Sequence, residues 1–117
     1  MTSNENLRAF RIRVVCNIMN GRAHVALREL ARFYDIKEPD IRVGTVKAHR
    51  HVLACYVQKE KRIYVSKSDL LTNPFVILHE FYHHMRASQT VKRGQVEKYA
   101  DSFVISFIRE LQEASVN

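Results

Sequence analysis

The spacing of apolar residues predicts two helices at the start of the chain. Apolar side chains recur at helical intervals within residues 4–20, although residues 10–14 also alternate apolar residues with Arg, as a strand would. Asn20-Gly21 is a typical helix stop. A second apolar stripe predicts another helix over residues 23–34. The N-terminal third is therefore expected to be helical.

After residue 40 the pattern changes from a helical period to that of strands. Three short segments are apolar or rich in β-branched residues: 41–46, 52–57 and 62–66. Short polar connections at 47–50 and 58–61 separate them. Connections this short are typical of antiparallel neighbours. The middle of the chain is therefore predicted to be a three-stranded antiparallel meander.

Two more helices are predicted in the second half. Asn73 is a good N-cap and Pro74 suits the first position of a helix that continues to Ala87. The last helix, Gln95 to Gln112, has the clearest core stripe, formed by Val96, Tyr99, Ala100, Phe103, Val104, Phe107, Ile108 and Leu111. The predicted fold class is α+β, and residues 1–117 are expected to form a single domain.

The composition is that of a globular protein with a basic surface. The chain has 19 Lys and Arg against 12 Asp and Glu, a formal charge of +7. These basic residues are scattered, with no block of five like charges, which favours a generally basic exterior over a nucleic-acid interface. No apolar run approaches the roughly 18 residues of a transmembrane helix, so no membrane partner is expected.

Two further features indicate a cytoplasmic location. The first residues lack the basic start and apolar segment of a secretory signal. Cys16 and Cys55 are far apart and have no CxxC spacing, which suits reduced thiols inside the cell.

The strongest chemical motif is His79-Glu80-Phe81-Tyr82-His83, an HExxH within the third predicted helix. Residues four apart lie one turn apart on the same face, so both imidazoles can bind one zinc ion. Glu80 can then take a proton from a metal-activated water. HExxH has only three fixed residues and the chain has six His, so an incidental His pair is the competing interpretation.

A catalytic zinc site needs a third protein ligand. His84 projects about 140° away from His79 and is a poor candidate. The downstream carboxylates are Glu97, Asp101, Glu110 and Glu113. Glu97 and Asp101 are four apart on the predicted core-facing part of the last helix, where buried acids need partners. Glu97 can complete the metal ligands, and Asp101 can accept the free N–H of a ligand histidine. Alternatively, both are exposed and pair with neighbouring bases.

His79-Glu80-x-x-His83 followed by Glu97-x-x-Ala100-Asp101 resembles the gluzincin pattern of zinc metallopeptidases, HExxH plus ExxA/S-D. The small size and the order of elements look most like the minigluzincins, and they are also similar to peptidase domains of the ImmA/IrrE type. The resemblance covers residues 40–112.

The resemblance implies a role for each motif residue. The Zn²⁺ ligands would be His79, His83 and Glu97. Glu80 would be the general base and then the acid for the leaving amine, and Asp101 would orient His79. Strand 52–57 would be the rim strand along which an extended peptide pairs. The expected function is hydrolysis of peptide bonds in a peptide or protein substrate by zinc-activated water.

Larger gluzincins carry a further C-terminal subdomain that supplies a Tyr or His donor to the oxyanion, and here only about ten residues follow the core part of the last predicted helix. The candidates here are Tyr56, Tyr64, Tyr82, Tyr99 and His84, with no basis for choosing one. Activity is therefore expected to be weak or latent, and Cys16 or Cys55 as a blocking ligand is one form of latency. The alternatives are a zinc-stabilised, non-catalytic interaction module and a basic nucleic-acid-binding protein.

Overall fold

A computed structural model describes residues 3–46, 51–87 and 96–116, and all of their side chains except those of residues 3–5, 96–98, 115 and 116. The elements in chain order are α1 (Ser3–Met19), α2 (Ala23–Phe33), β1 (Asp40–Val43), β2 (Ala54–Val57), β3 (Arg62–Val65), a 3₁₀ helix (Ser68–Thr72), α3 (Pro74–Ala87) and α4 (Val96–Val116). The α+β class is confirmed. The predicted polar connection at 47–50 lies outside the described residues.

The prediction of helix α1 over the competing strand is confirmed. Phe10 and Val14 are buried in the core, as the helical spacing requires. The helix ends where expected, because Gly21 has φ +80°, a left-handed conformation that favours glycine. The next backbone N–H, that of Arg22, donates to the carbonyl of Asn17 at 2.8 Å, which closes the last turn.

The predicted antiparallel pairing of the second and third strands is confirmed, but the predicted meander order is wrong. The sheet order is β1-β3-β2, with β1 parallel to β3 and β2 antiparallel to β3. Val43 at the end of β1 and Ala54 at the start of β2 both pair with Val65 on β3. Because β3 lies between them, β1 and β2 do not form a hairpin. Alternation identifies strands but does not determine which strands become neighbours.

The N-cap prediction for α3 is confirmed. The side-chain oxygen of Asn73 accepts hydrogen bonds from the backbone N–H groups of Phe75 at 3.0 Å and Val76 at 3.4 Å. These are donors that the first turn of a helix cannot satisfy internally. Ile77 and Phe81 are fully buried, so α3 is a core helix whose polar motif residues lie on its remaining face.

Helix α4 packs against both α1 and α3. Ala100, Val104 and Phe107 are buried, in agreement with the predicted stripe. Tyr99 is 43% exposed, so its assignment to the core was wrong. The side chain of Val96 lies outside the described residues. Within the described ranges, no helix combines the length and apolar character needed to cross a membrane.

Candidate metal centre

The two histidines of the HExxH motif meet on one face of α3. Their Nε2 atoms are 3.2 Å apart, and both side chains are partly exposed. The rings are inclined at 70° with centroids 4.8 Å apart. If one Nε2 carries a proton, this contact is a hydrogen bond. If neither does, two lone pairs face one point.

This separation fits two ligands of one zinc ion. Nitrogen atoms bound at about 2.0–2.1 Å with tetrahedral angles lie about 3.3 Å from each other. The 3.2 Å between His79 Nε2 and His83 Nε2 is close to that value. Imidazole nitrogen is a ligand that suits zinc, and also copper, iron and nickel.

Asp101 on α4 approaches the other nitrogen of the first histidine. Its Oδ1 is 3.4 Å from His79 Nδ1. This distance is longer than that of a good N–H···O hydrogen bond. The carboxylate nevertheless lies beside Nδ1, whereas Nε2 of the same ring faces His83. A proton held on Nδ1 leaves the Nε2 lone pair available. The structure thus brings together two side chains that the sequence paired by analogy.

The expectation that Asp101 faces the core is wrong. Its side chain is 72% exposed, because it lies at the open mouth of a groove and not inside the helical stripe. It faces solvent on one side and His79 on the other. A carboxylate in this position needs no buried partner to offset desolvation.

Glu80 lies at the inner side of the same groove and is only 8% exposed. It is one residue round from His79 and therefore turns towards the sheet. Cys55 on β2 has its pKa raised by burial and further by the negative charges of Glu80 and Glu60. A thiol with a raised pKa is mostly protonated at neutral pH, which makes it a weak metal ligand.

The third predicted ligand, Glu97, belongs to α4, but its side chain lies outside the described residues. Its backbone position precedes Asp101 by four residues, one helical turn. Among the described side chains, no three His, Cys, Asp or Glu form a group that could hold a metal ion. The other two candidates lie further along α4. Glu110 pairs with Arg11 at 3.2 Å, and Glu113 is exposed.

The motif opens into a groove of about 570 Å³ between β2, α3 and α4, here called the apolar groove. His79, Glu80 and Asp101 form its polar part. The rest is apolar, and four of its lining residues are among the exposed large hydrophobic side chains of the described chain: Val52, Leu53, Phe75 and Ile105.

Sequence reasoning missed this apolar lining. Part of the lining could have been predicted, because residues four apart share a face of a helix. Phe75 precedes His79 by four residues, and Ile105 follows Asp101 by four. Leu53 had no such signal, since only the sheet order makes β2 an edge strand beside α3. At 63% exposure it is the most exposed of the four.

His84 has a structural role that the sequence did not indicate. It is buried between β2 and the segment after α2, where its Nε2–H donates to the carbonyl of Lys37 at 2.6 Å and its Nδ1 accepts from the hydroxyl of Tyr56 at 2.7 Å. Burial lowers its pKa, the Lys37 carbonyl opposes this, and the positive charge of Lys61 adds to the lowering. Its two nitrogens are therefore occupied away from the motif.

None of the proposed oxyanion donors lines the apolar groove. Tyr56 and His84 bind each other, and the hydroxyl of Tyr64 donates to Glu60. Tyr82 is buried against Phe103 on α4. Tyr99 precedes Asp101 by two residues, about 200° round the helix.

Many of the basic side chains form ion pairs within the chain. Arg13 bonds to Glu29 at 2.8 Å, and Arg62 bonds to Asp40 at 2.8 Å. Such pairing reduces the positive field available to a polyanion.

Comparisons with family models, curated proteins and solved structures found no match for this chain. The resemblance to gluzincins therefore rests on the motif residues and their spacing.

Proposed function

We propose that this protein is a zinc-dependent peptidase of gluzincin type, with weak or latent activity. The observation that carries the proposal is the pairing of His79 and His83 through Nε2 atoms 3.2 Å apart, with Asp101 Oδ1 3.4 Å from His79 Nδ1. A helix with a purely structural role does not need two histidine nitrogens this close together. A metal centre needs both nitrogens to point at one position, and it needs a partner that orients the imidazole ring.

The residues that would hold zinc are His79, His83 and Glu97. Zinc bound there supplies Lewis acidity and makes water a better nucleophile at neutral pH. Asp101 keeps the Nδ1 proton of His79 in place, so that the Nε2 lone pair points towards the site. The low exposure of Glu80 keeps its carboxylate directed into the groove and limits competition from solvent.

In this proposal Glu80 moves the proton of the reaction. A carboxylate oxygen accepts a proton from the attacking water and returns it to the nitrogen of the departing amine. The edge strand β2 offers backbone groups that hold an extended peptide across the groove. The substrate class is therefore a peptide or an extended protein segment.

The test combines metal analysis with two substitutions. Purified protein is expected to contain about one zinc per chain, and His79→Ala is expected to lose it. Glu80→Gln is expected to keep the zinc and to lose at least about 100-fold in peptide hydrolysis, because it removes a general base. Protein without zinc, unchanged by His79→Ala, would contradict the proposal.

The same measurements, together with a DNA-binding assay, separate the other two functions. A zinc-stabilised interaction module would keep its zinc and cleave no peptide with or without Glu80. A nucleic-acid-binding protein would bind DNA in a salt-sensitive way without zinc. The free thiols of Cys16 and Cys55 fit a reducing compartment, which is the basis for proposing a cytoplasmic location.

A further inference from the structure

A second concavity lies at the other end of the seam between β2 and α3. It has a volume of about 290 Å³ and is here called the distal pocket. Its lining residues are Ile36, Lys37, Tyr56, Gln58, Lys61, His84 and Ala87. No acidic residue is among them, whereas two lysines are.

The distal pocket and the apolar groove both lie along β2 and α3. Along β2, Ala54 lines the groove and Tyr56 lines the pocket. Along α3, Glu80 lines the groove and His84 lines the pocket, one turn further on. The strand and the helix therefore lead from the groove to the pocket in the same direction.

The length of this path is that of a short extended peptide. Ala54 and Tyr56 are two residues apart on β2, about 7 Å along the strand, and alternate residues of a strand face the same side. Gln58 follows β2 in the turn at the far side of the pocket, so the distance from Ala54 to Gln58 is at most about 13 Å. An extended peptide along β2 would present side chains at positions i and i+4 to the groove and the pocket.

The charge of the distal pocket is positive and uncompensated by close ion pairs. Among the described residues, no ion pair or hydrogen bond is made by the side-chain amino group of Lys37 or Lys61, whereas the backbone carbonyl of Lys37 accepts from His84. Nearby carboxylates have other partners, since Glu60 pairs with Arg62 at 3.1 Å and Glu38 pairs with Arg28 at 3.5 Å. The polar groups at the base of the pocket, Tyr56 and His84, bind each other. The lysines are therefore the groups available to a ligand.

Lys61 occupies a backbone conformation that does not favour lysine. Its φ is +52°, in the left-handed region that Gly and Asn adopt more readily. The turn alone would be better served by one of those residues. Unfavourable backbone conformations of this kind are found where a side chain has a function.

We propose that the distal pocket recognises an acidic side chain of the peptide substrate. This inference rests on the peptidase function proposed above and specifies its substrate. The preferred peptide carries an apolar residue at the apolar groove and Glu or Asp four residues away at the distal pocket. The competing explanation for the lysines is stabilisation of the C-terminal end of α3.

The test uses labelled peptides that share one apolar residue and differ only in whether Glu, Gln or Lys stands four residues from it, on either side. Cleavage of the Glu peptide is expected to exceed that of the Gln peptide by about two- to fivefold in kcat/KM for each lysine engaged. The preference is expected to weaken at high salt. Sequencing of the products gives the direction in which the peptide lies on β2.

Variants connect the preference to the pocket. Lys61→Asn keeps a residue suited to the turn, and with Lys37→Gln it is expected to bring the Glu-to-Gln ratio of kcat/KM close to one. Lys59→Asn makes the same change of charge in the same turn, outside the pocket, and is expected to retain the ratio. Equal cleavage of all three peptides by the unmodified protein, or equal loss of preference in Lys59→Asn, would overturn the inference.

A binding measurement keeps this result separate from the proposed catalysis. Fluorescence anisotropy of the same peptides on the Glu80→Gln protein requires no turnover. Tighter binding of the Glu peptide, lost in the Lys37→Gln and Lys61→Asn double variant, would support the distal pocket even if no peptide were cleaved. Equal binding of the Glu and Gln peptides would refute it, whether or not the protein hydrolyses peptides.

Discussion

Single residues in this protein take their chemistry from what faces them, not from their place in the motif. His83 and His84 are neighbours in sequence, yet His83 faces His79 while His84 is bound between Tyr56 and Lys37. About 100° of helical rotation separates the two environments. His83 thus lies where the proposed metal site requires it, and His84 links α3 to β2 and to the segment after α2.

Asp101 provides a test of metal binding at this scale. Asp101→Asn keeps the shape of the side chain but removes the charge that holds the Nδ1 proton of His79. Zinc affinity, measured by competition with a chelator, is expected to fall about 10- to 100-fold. Glu113→Gln removes an exposed carboxylate elsewhere on α4 and is expected to leave the affinity unchanged. Unaltered affinity in Asp101→Asn would show that its approach to His79 has no role in binding.

At the scale of elements, α3 is formed by local signals, whereas the sheet depends on contacts between distant segments. The cap, the first proline and the apolar positions of α3 are all readable within residues 73–87. The parallel pairing of β1 with β3 joins Asp40 to Arg62 and Val43 to Val65 across a gap in sequence. The local signals of α3 can be tested through its Asn73 cap, and the pairing of β1 with β3 can be tested through Asp40.

The cap of α3 is expected to contribute measurably to stability. Asn73→Ala removes the acceptor for two backbone N–H groups and is expected to lower the free energy of unfolding by about 1 kcal/mol. Asn73→Ser restores an oxygen at the same position and is expected to recover most of the loss. Urea denaturation measures both, and an unchanged midpoint in Asn73→Ala would contradict the assigned cap.

The pairing of β1 with β3 is expected to depend on pH through Asp40. Desolvation acts to raise the pKa of this carboxyl, but the hydrogen bonds from Arg62 and the Ile41 N–H, with the nearby positive charges, lower it overall. Since the folded pKa is below the unfolded one, this stabilisation is complete above about pH 4 and is lost as the pH falls through the folded value.

The dependence on Asp40 can be measured by urea denaturation between about pH 5 and pH 2. Asp40→Asn is expected to show a shallower fall in the free energy of unfolding with decreasing pH, because its side chain does not titrate. Asp69→Asn, in the exposed 3₁₀ helix outside this network, should retain more of the original slope. If Asp40→Asn and the unmodified protein had the same slope, the carboxylate would have no part in acid sensitivity.

At the scale of the whole molecule, one core joins the helices and carries the site. Phe107 on α4 is fully buried and contacts Phe10 of α1 and Phe103 of α4. Packing of α4 on α1 and α3 fixes the position of Asp101 relative to His79. The candidate centre is therefore assembled by the core and not by either helix alone.

Loss of this packing is expected to lower the stability of the fold. Phe107→Ala is expected to lower the free energy of unfolding by about 3–5 kcal/mol, since it removes a buried aromatic side chain and leaves a cavity. Ile105→Ala, two residues away on an exposed position, should cost less than about 1 kcal/mol. Equal losses in the two variants, measured by thermal or urea denaturation, would contradict the assigned core.

The sequence by itself determined the helices, the existence of three strands and the HExxH face of α3. These features follow from interactions between residues a few positions apart, such as the Asn73 cap and the left-handed Gly21. The same local rules identified the stripe on α4, although Tyr99 proved to be exposed. Pattern reasoning succeeds here because the cause and its effect are close in the chain.

Only the tertiary structure decided the sheet order, the exposure of Asp101, the role of His84 and the two concavities along β2. Each depends on which distant segments become neighbours, and that choice is set by burial summed over the whole core. The apolar groove exists because β2 is an edge strand beside α3, with α4 opposite. Periodicity along one segment carries no information about which segment will face it.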